Sequence, residues 1–391
     1  MSTPLALYLH IPFCAARCAY CDFNTYAGLE TLFEPYIAAL GQEIRSAGAQ
    51  RGRPVGRTIY IGGGTPTVLP AELLAQALAA CREAFAIAPD AEITSEANPG
   101  TVDRPRFAAL RSLGVNRLSI GVQSFDDAEL HWLGRIHTAA EAQAAFEAAR
   151  TAGFDNISLD LIFGLPDQRP ATWMQTLARA ISLAPEHLSL YSLTVEPGTP
   201  LAERVARGLA AEPDDDHAAL LYEIACDMLA AAGYEQYEIS NWARTGGATP
   251  DRLPMPDYRC QHNLVYWRRE PYLGFGAGAH SFEAERRWWN VRPVSEYIWR
   301  IAEGRSAEAG SEAIDQKTAL GEAMMLGLRL IGEGVSEARL VAQFGIGLEE
   351  AFGRQIGRLA QRGLLERLEG RVRLTPRGKL LGNQVFVEFM P

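Results

Sequence analysis

Three cysteines near the start of the chain carry the most explicit chemistry. Cys14-Ala-Ala-Arg-Cys18-Ala-Tyr20-Cys21 reads C-x3-C-x2-C. Three thiolates on one short loop can hold three irons of a [4Fe–4S] cubane and leave the fourth iron open to a small molecule. The competing reading is zinc, which closely spaced cysteines also suit, with His10 available to complete a set. Structural zinc usually takes two separated ligand pairs, whereas Cys81, Cys226 and Cys260 are scattered along the chain. Disulfide frameworks belong to short secreted chains, so the clustered thiols point to a metal or redox site.

The elements that must position such a loop have a regular rhythm. Segments Leu5–Ile11, Thr58–Gly62, Glu92–Ala97, Arg117–Val122, Ile157–Phe163 and Leu188–Thr194 read as strands. They read as nearly continuous apolar runs, the pattern of parallel strands covered on both faces. Between them, Leu73–Ala86, Arg104–Leu113, Ala139–Ala152 and Thr172–Leu183 read as helices, with Gly114 and Gly153 placed as C-terminal caps. Six β/α units over residues 4–240 predict an α/β fold, either an open doubly wound sheet or an incomplete barrel. In a barrel the site lies at the C-terminal ends of the strands. Polar or glycine residues gather there: His10, Gly62–Gly64 with Thr65, Glu96 with Asn98, Gln123 with Ser124, Asp160, and Thr194 with Glu196. Six consecutive units ending this way predict one site spread across the mouth.

With Tyr20 before its last cysteine, the C-x3-C-x2-C run resembles the radical S-adenosylmethionine (SAM) superfamily. The resemblance implies an incomplete (β/α)6 barrel and a [4Fe–4S] cluster on Cys14, Cys18 and Cys21. It also implies SAM chelated to the open iron, whose one-electron reduction cleaves the sulfonium to a 5′-deoxyadenosyl radical. Gly64 and Thr65, in Ile-Gly-Gly-Gly-Thr-Pro, stand where such proteins approach the cofactor's amino group. Glu96, Gln123, Arg135 and Asp160 stand where the cofactor's carboxylate, sulfonium region or ribose is bound. Tyr8 and Tyr20 flank the cluster and could pack on adenine, although core packing explains them equally well. On the residues alone, Arg135 could equally be a solvated surface cation and Asp160 a cap or turn residue.

The similarity runs over nearly the whole chain to the branch that contains oxygen-independent coproporphyrinogen III oxidase and the HemW haem chaperones. Three features favour the chaperones. Phe23 stands where the oxidase resembles C-x3-C-x2-C-x-C, Cys14 lies almost at the start without the oxidase's preceding extension, and His262-Asn-Leu-Val-Tyr266-Trp267 looks like a haem-binding signature. A neutral imidazole is a common axial ligand of haem iron, which makes His262 the candidate metal ligand. Tyr272, Phe275, Trp288 and Trp289 could cover a porphyrin, Arg268 or Arg269 could pair with propionates, and His280 is an alternative ligand. A hydrogen-bonded core histidine is the competing reading of His262. The implied function is haem binding and delivery to acceptor haemoproteins, supported by a one-electron donor. The alternative is oxidative decarboxylation of coproporphyrinogen III.

The 391 residues suffice for two or three domains, expected at residues 1–240 (barrel), 241–310 (haem motif and connection) and 311–391. The last is helical, and Leu364–Gly378 reads as two strands turning at Glu369-Gly370, a winged-helix-like pattern. A net charge of -10 and the acidic Glu349, Glu350, Glu366 and Glu369 argue against nucleic acid despite five nearby arginines. No apolar run is long enough to span a bilayer, and residues 1–9 lack the basic start of a signal peptide. A cytoplasmic monomer or homodimer is expected.

Overall fold

The computed structural model describes residues 4–245 and 257–391. Its centre is a twelve-stranded mixed sheet. Six strands carry the barrel: β1 (Leu5–Ile11), β2 (Val55–Gly63), β3 (Ala86–Ala97), β4 (Arg117–Gln123), β5 (Ile157–Phe163) and β6 (His187–Ser192). They pair in parallel in sequence order. Six more strands extend the edges: β7 (Tyr234–Glu238), β8 (Asn241–Arg244), β9 (Tyr272–Phe275), β10 (His280–Glu283), β11 (Arg286–Asn290) and β12 (Glu308–Ala313). The sheet order is β12-β11-β10-β9-β1-β2-β3-β4-β5-β6-β8-β7, and no pairing joins its edges among the described residues. The protein is therefore an α/β chain with an incomplete barrel, as expected. β9 runs parallel to β1, so the segment expected as a connection supplies a seventh parallel strand beside the cysteine-bearing unit.

The strands are not apolar on both faces. Ile59, Ile61, Leu118, Ile120, Leu159 and Leu188 bury one face under the helices. The residues between them are polar: Thr58, Glu92, Thr94, Arg117, Ser119, Ser158, Asp160, His187 and Ser189. Alternating side chains point to opposite faces of a strand, so this second set lines the inside of the half-barrel. It is held by its own hydrogen bonds, such as Ser158 Oγ to His187 Nδ1 (2.8 Å) and His187 Nε2 to Tyr237 Oη (2.8 Å). The expected continuous apolar runs are therefore corrected: only one face of each strand is apolar, and the other lines a polar bore.

Residues 316–389 form a second core around Met324, Ile356, Leu359 and Val385. Helices Gln316–Gly327, Glu337–Phe344 and Leu348–Gln361 pack with a three-stranded sheet of Val335–Ser336, Arg371–Leu374 and Leu365–Leu368, matching the winged-helix-like expectation. Three of its arginines are paired with carboxylates: Arg358 and Arg362 with Glu388, Arg373 with Glu366.

Candidate functional site

The strand ends and the cysteine loop enclose a cavity of about 410 Å³. Cys14, Cys18, Cys21, Tyr20, Gly64, Thr65, Glu96, Gln123, Arg135 and Asp160 all line it, so ten of the residues singled out by sequence come together. Two do not. Tyr8 lines a neighbouring cavity, where its hydroxyl bonds His10 Nδ1 at 3.0 Å, and His262 lines neither.

The cysteine loop is fixed from both sides. Residues Phe13–Cys14 pair with Tyr26–Ala27, and the Cys21 amide donates to the Cys18 carbonyl. Thr65 Oγ1 lies 3.7 Å from Cys14 Sγ, and Cys21 Sγ lies 3.8 Å from Thr25 Oγ1. Gly64 supports the loop directly: its amide donates to Ile11, and a Cβ there would fall 2.5 Å from the Phe13 carbonyl oxygen. The glycine run thus lets the β2 end approach the cysteine strand, a reason that holds before any cofactor is considered.

Arg135 places one guanidinium nitrogen 3.2 Å from Cys18 Sγ and another 2.6 Å from the Gly121 carbonyl. Its Nε is buried without a partner, a donor that a bound carboxylate could satisfy. Tyr20 and Cys18 strengthen its charge although burial opposes it. Across the cavity, both oxygens of Glu96 accept hydrogen bonds, from Tyr60 Oη (2.9 Å) and the Gly63 amide (3.0 Å). Burial nonetheless pushes its carboxyl up to about 7. Asp160 accepts from Ser119 and Ser158, and burial raises its carboxyl too. Gln123 holds φ at +69°, a left-handed conformation that costs about 1–3 kcal/mol in a residue other than glycine. Such strain persists where the surrounding structure enforces it, here at the end of β4 facing the thiols.

These residues fit a cluster with a chelated amino-acid cofactor. Among the described residues, no three His, Cys, Asp or Glu side chains gather closely enough to share one ion. A cubane asks for less, because each thiolate meets a different iron. His10 cannot serve zinc in this arrangement, since its nitrogens are engaged by Tyr8 and by the Asn24 carbonyl (3.0 Å). The guanidinium and the carboxylate offer opposite charges to a zwitterionic ligand.

Residues 8–180 match the radical SAM superfamily model, and residues 314–381 match the HemN C-terminal domain. The heme chaperone HemW of Bacillus subtilis (strain 168) is 40% identical over 384 residues, covering 98% of this chain and 98% of that one. This chain belongs to the HemW family of radical SAM proteins. HemW of Escherichia coli (strain K12) is 44% identical over 279 residues, 71% of this chain and 70% of its own. The solved coproporphyrinogen III oxidase (HemN) from Escherichia coli, a radical SAM enzyme, superposes with a TM-score of 0.83 at 25% identity, covering 99% of this chain and 90% of that one. Family membership makes a [4Fe–4S] cluster and SAM the expected cofactors of the thiol-lined cavity.

The histidine of the HemW-like motif is buried. His262, 1% exposed, sits on the helix Gln261–Trp267 beneath the bore. Its Nδ1 bonds Thr58 Oγ1 at 2.8 Å, its Nε2 bonds Tyr266 Oη at 2.9 Å, and its amide donates to Glu92. Tyr60 stacks on the ring at 5.1 Å. Burial, aided by Arg57 and Arg117, lowers the imidazole to about 3, so it is neutral with both nitrogens engaged. Arg268 pairs with Glu333, and buried Arg269 pairs with Glu285 and Glu322, so neither cation is available to propionates in this arrangement. Sequence reasoning missed Asn24 and Arg292, which line the neighbouring cavity of about 590 Å³ together with Phe23. Phe23, noted in the sequence only for the cysteine it replaces, is 61% exposed where both cavities meet.

Proposed function

We propose that this protein binds haem and hands it to acceptor haemoproteins, with a [4Fe–4S] cluster and SAM held at the barrel mouth. The observation that carries the reading is the full-length similarity to HemW chaperones. The exposed Phe23 at the junction of two cavities supports it. Bound in the first cavity, the cluster would supply one-electron reduction at the cofactor sulfonium. The chain's own part is to hold and orient: Cys14, Cys18 and Cys21 take the irons, Arg135 faces a carboxylate, and Glu96 faces cationic groups. Asp160 offers acceptors to ribose hydroxyls, while Tyr20 closes the wall.

The acceptors are apo-haemoproteins, the reductant is a one-electron donor, and the working form is a cytoplasmic monomer or homodimer. Among the described residues no helix is long and apolar enough to cross a membrane.

Two assays test the reading. Anaerobically reconstituted protein loaded with haem should lose its Soret band to an added apo-haemoprotein as the acceptor gains one. Incubation with coproporphyrinogen III, SAM and reductant should yield no protoporphyrinogen IX. Robust product without haem transfer would replace the chaperone reading with the oxidase one.

A further inference from the structure

The second cavity offers a haem site different from the sequence motif. It lies between β1 and β11 and shares Phe23, Gly63 and Glu96 with the thiol-lined cavity. Its volume of about 590 Å³ falls within the range of roughly 300–1,000 Å³ usual for ligand pockets. Tyr266 and Tyr272 meet edge to face in its wall at 4.7 Å, and Trp289 adds a broad indole.

Two histidines line this cavity. His10 has both nitrogens engaged. His280 is exposed, and its ring nitrogens have no hydrogen-bond partner among the described residues. The ring is nonetheless held: it lies opposite Trp289 across the β10–β11 pair and stacks on the indole at 5.8 Å with 26° between planes. A neutral imidazole oriented on a rigid strand pair suits axial ligation of iron. Arg292 lines the same cavity, is exposed, and has no carboxylate partner among the described residues, unlike Arg268 and Arg269.

We propose that haem occupies this cavity with His280 as its axial ligand and Arg292 facing a propionate, while His262 is a positioning residue under the cavity wall. The inference rests on the haem-binding reading above and names its site. His262 acts through Tyr266, whose hydroxyl it holds and whose ring forms the wall. The arrangement also ties cargo to cluster. Asn24, three residues after Cys21, donates from Nδ2 to the Ala277 carbonyl (3.0 Å) and the Arg292 carbonyl (2.9 Å). The loop that holds the thiols therefore braces the strands that hold the haem ligand.

The test is a haem titration of the full-length, anaerobically reconstituted protein, read by the Soret band and by electron paramagnetic resonance of the ferric complex. His280→Ala should weaken binding at least tenfold and change the spin-state signature, and added imidazole should restore the wild-type spectrum. His280→Met should bind haem with a shifted Soret maximum, the mark of an exchanged ligand. Arg292→Gln should weaken affinity several-fold without moving the spectrum. An unchanged spectrum and affinity in His280→Ala, with wild type binding haem, would overturn the ligand assignment alone. A wild-type protein that binds no haem would overturn the haem-binding reading itself.

Discussion

Glu96 shows how one side chain sets a measurable pH dependence. Its usual carboxyl value is 4.5, and burial lifts it to about 7 although Tyr60 and Gly63 donate to it. Below pH 7 the neutral acid dominates, and above it the carboxylate faces a cofactor that carries an ammonium and a sulfonium. SAM affinity should therefore fall about tenfold from pH 8 to pH 6, because one unit below its pKa only about a tenth of the group is ionised. Equilibrium dialysis across that range checks this, and Glu96→Gln should flatten the profile. The same shift acts against the fold: between pH 4.5 and 7 the folded state binds more protons than the unfolded one, so this group's contribution to stability declines as pH rises. At this scale the thiols were legible because their spacing is local. The surroundings of His262 were only partly so: Tyr266 is four residues away, but Thr58 and Glu92 lie more than 160 residues away. Sequence shows an imidazole among aromatics but not that both its nitrogens are taken.

Among elements, the β2 end and the cysteine strand depend on each other through Gly64. A Cβ there meets backbone, the Phe13 carbonyl oxygen at 2.5 Å and the Ile11 oxygen at 2.9 Å, and backbone cannot swing aside as a long side chain would. Gly64→Ala should cost about 1–3 kcal/mol as an overpacked contact. It should also reduce iron per chain after reconstitution, because the displaced loop is the one carrying Cys14. Gly153→Ala is the control: φ of +90° penalises any side chain, roughly 1–2 kcal/mol, but nothing lies near the added methyl. Both variants should melt earlier, and only Gly64→Ala should lose the cluster absorbance. Equal iron content in the two would show that Gly64 serves the turn alone. The parallel strands were legible because each carries an apolar face between turn signals, and β1 and β5 have the predicted limits. The edge strands were not. Tyr234-Glu-Gln-Tyr-Glu and Arg286-Arg-Trp-Trp-Asn are short, and although each forms a hairpin with an adjacent strand, neither carries the alternating apolar pattern that marks a strand.

At the scale of the whole molecule, the C-terminal module is joined to the haem-motif helix by charge as much as by apolar contact. Arg269 follows that helix and is 6% exposed. Its Nε donates to Glu322 at 3.0 Å, and its terminal nitrogens reach Glu285. Glu322, 5% exposed on the module's first helix, also accepts from Arg287 of β11 at 3.0 Å. Two cations on the barrel side thus neutralise one buried carboxylate on the module. Arg329, stacked on Trp267 at 4.7 Å, and Arg268, paired with Glu333, add further ties. Removing one partner of a buried ion pair leaves the other charge desolvated and costs roughly 3–5 kcal/mol, more than the intact pair contributes. Arg269→Met should therefore destabilise the junction strongly, while the double variant Arg269→Met with Glu322→Gln should recover much of the loss by removing the stranded charge. Because the barrel and the module have separate cores, calorimetry of Arg269→Met should resolve two transitions where the parent should unfold in one. A single transition at the parent temperature would mean that Arg287 alone compensates Glu322, and that apolar packing carries the junction.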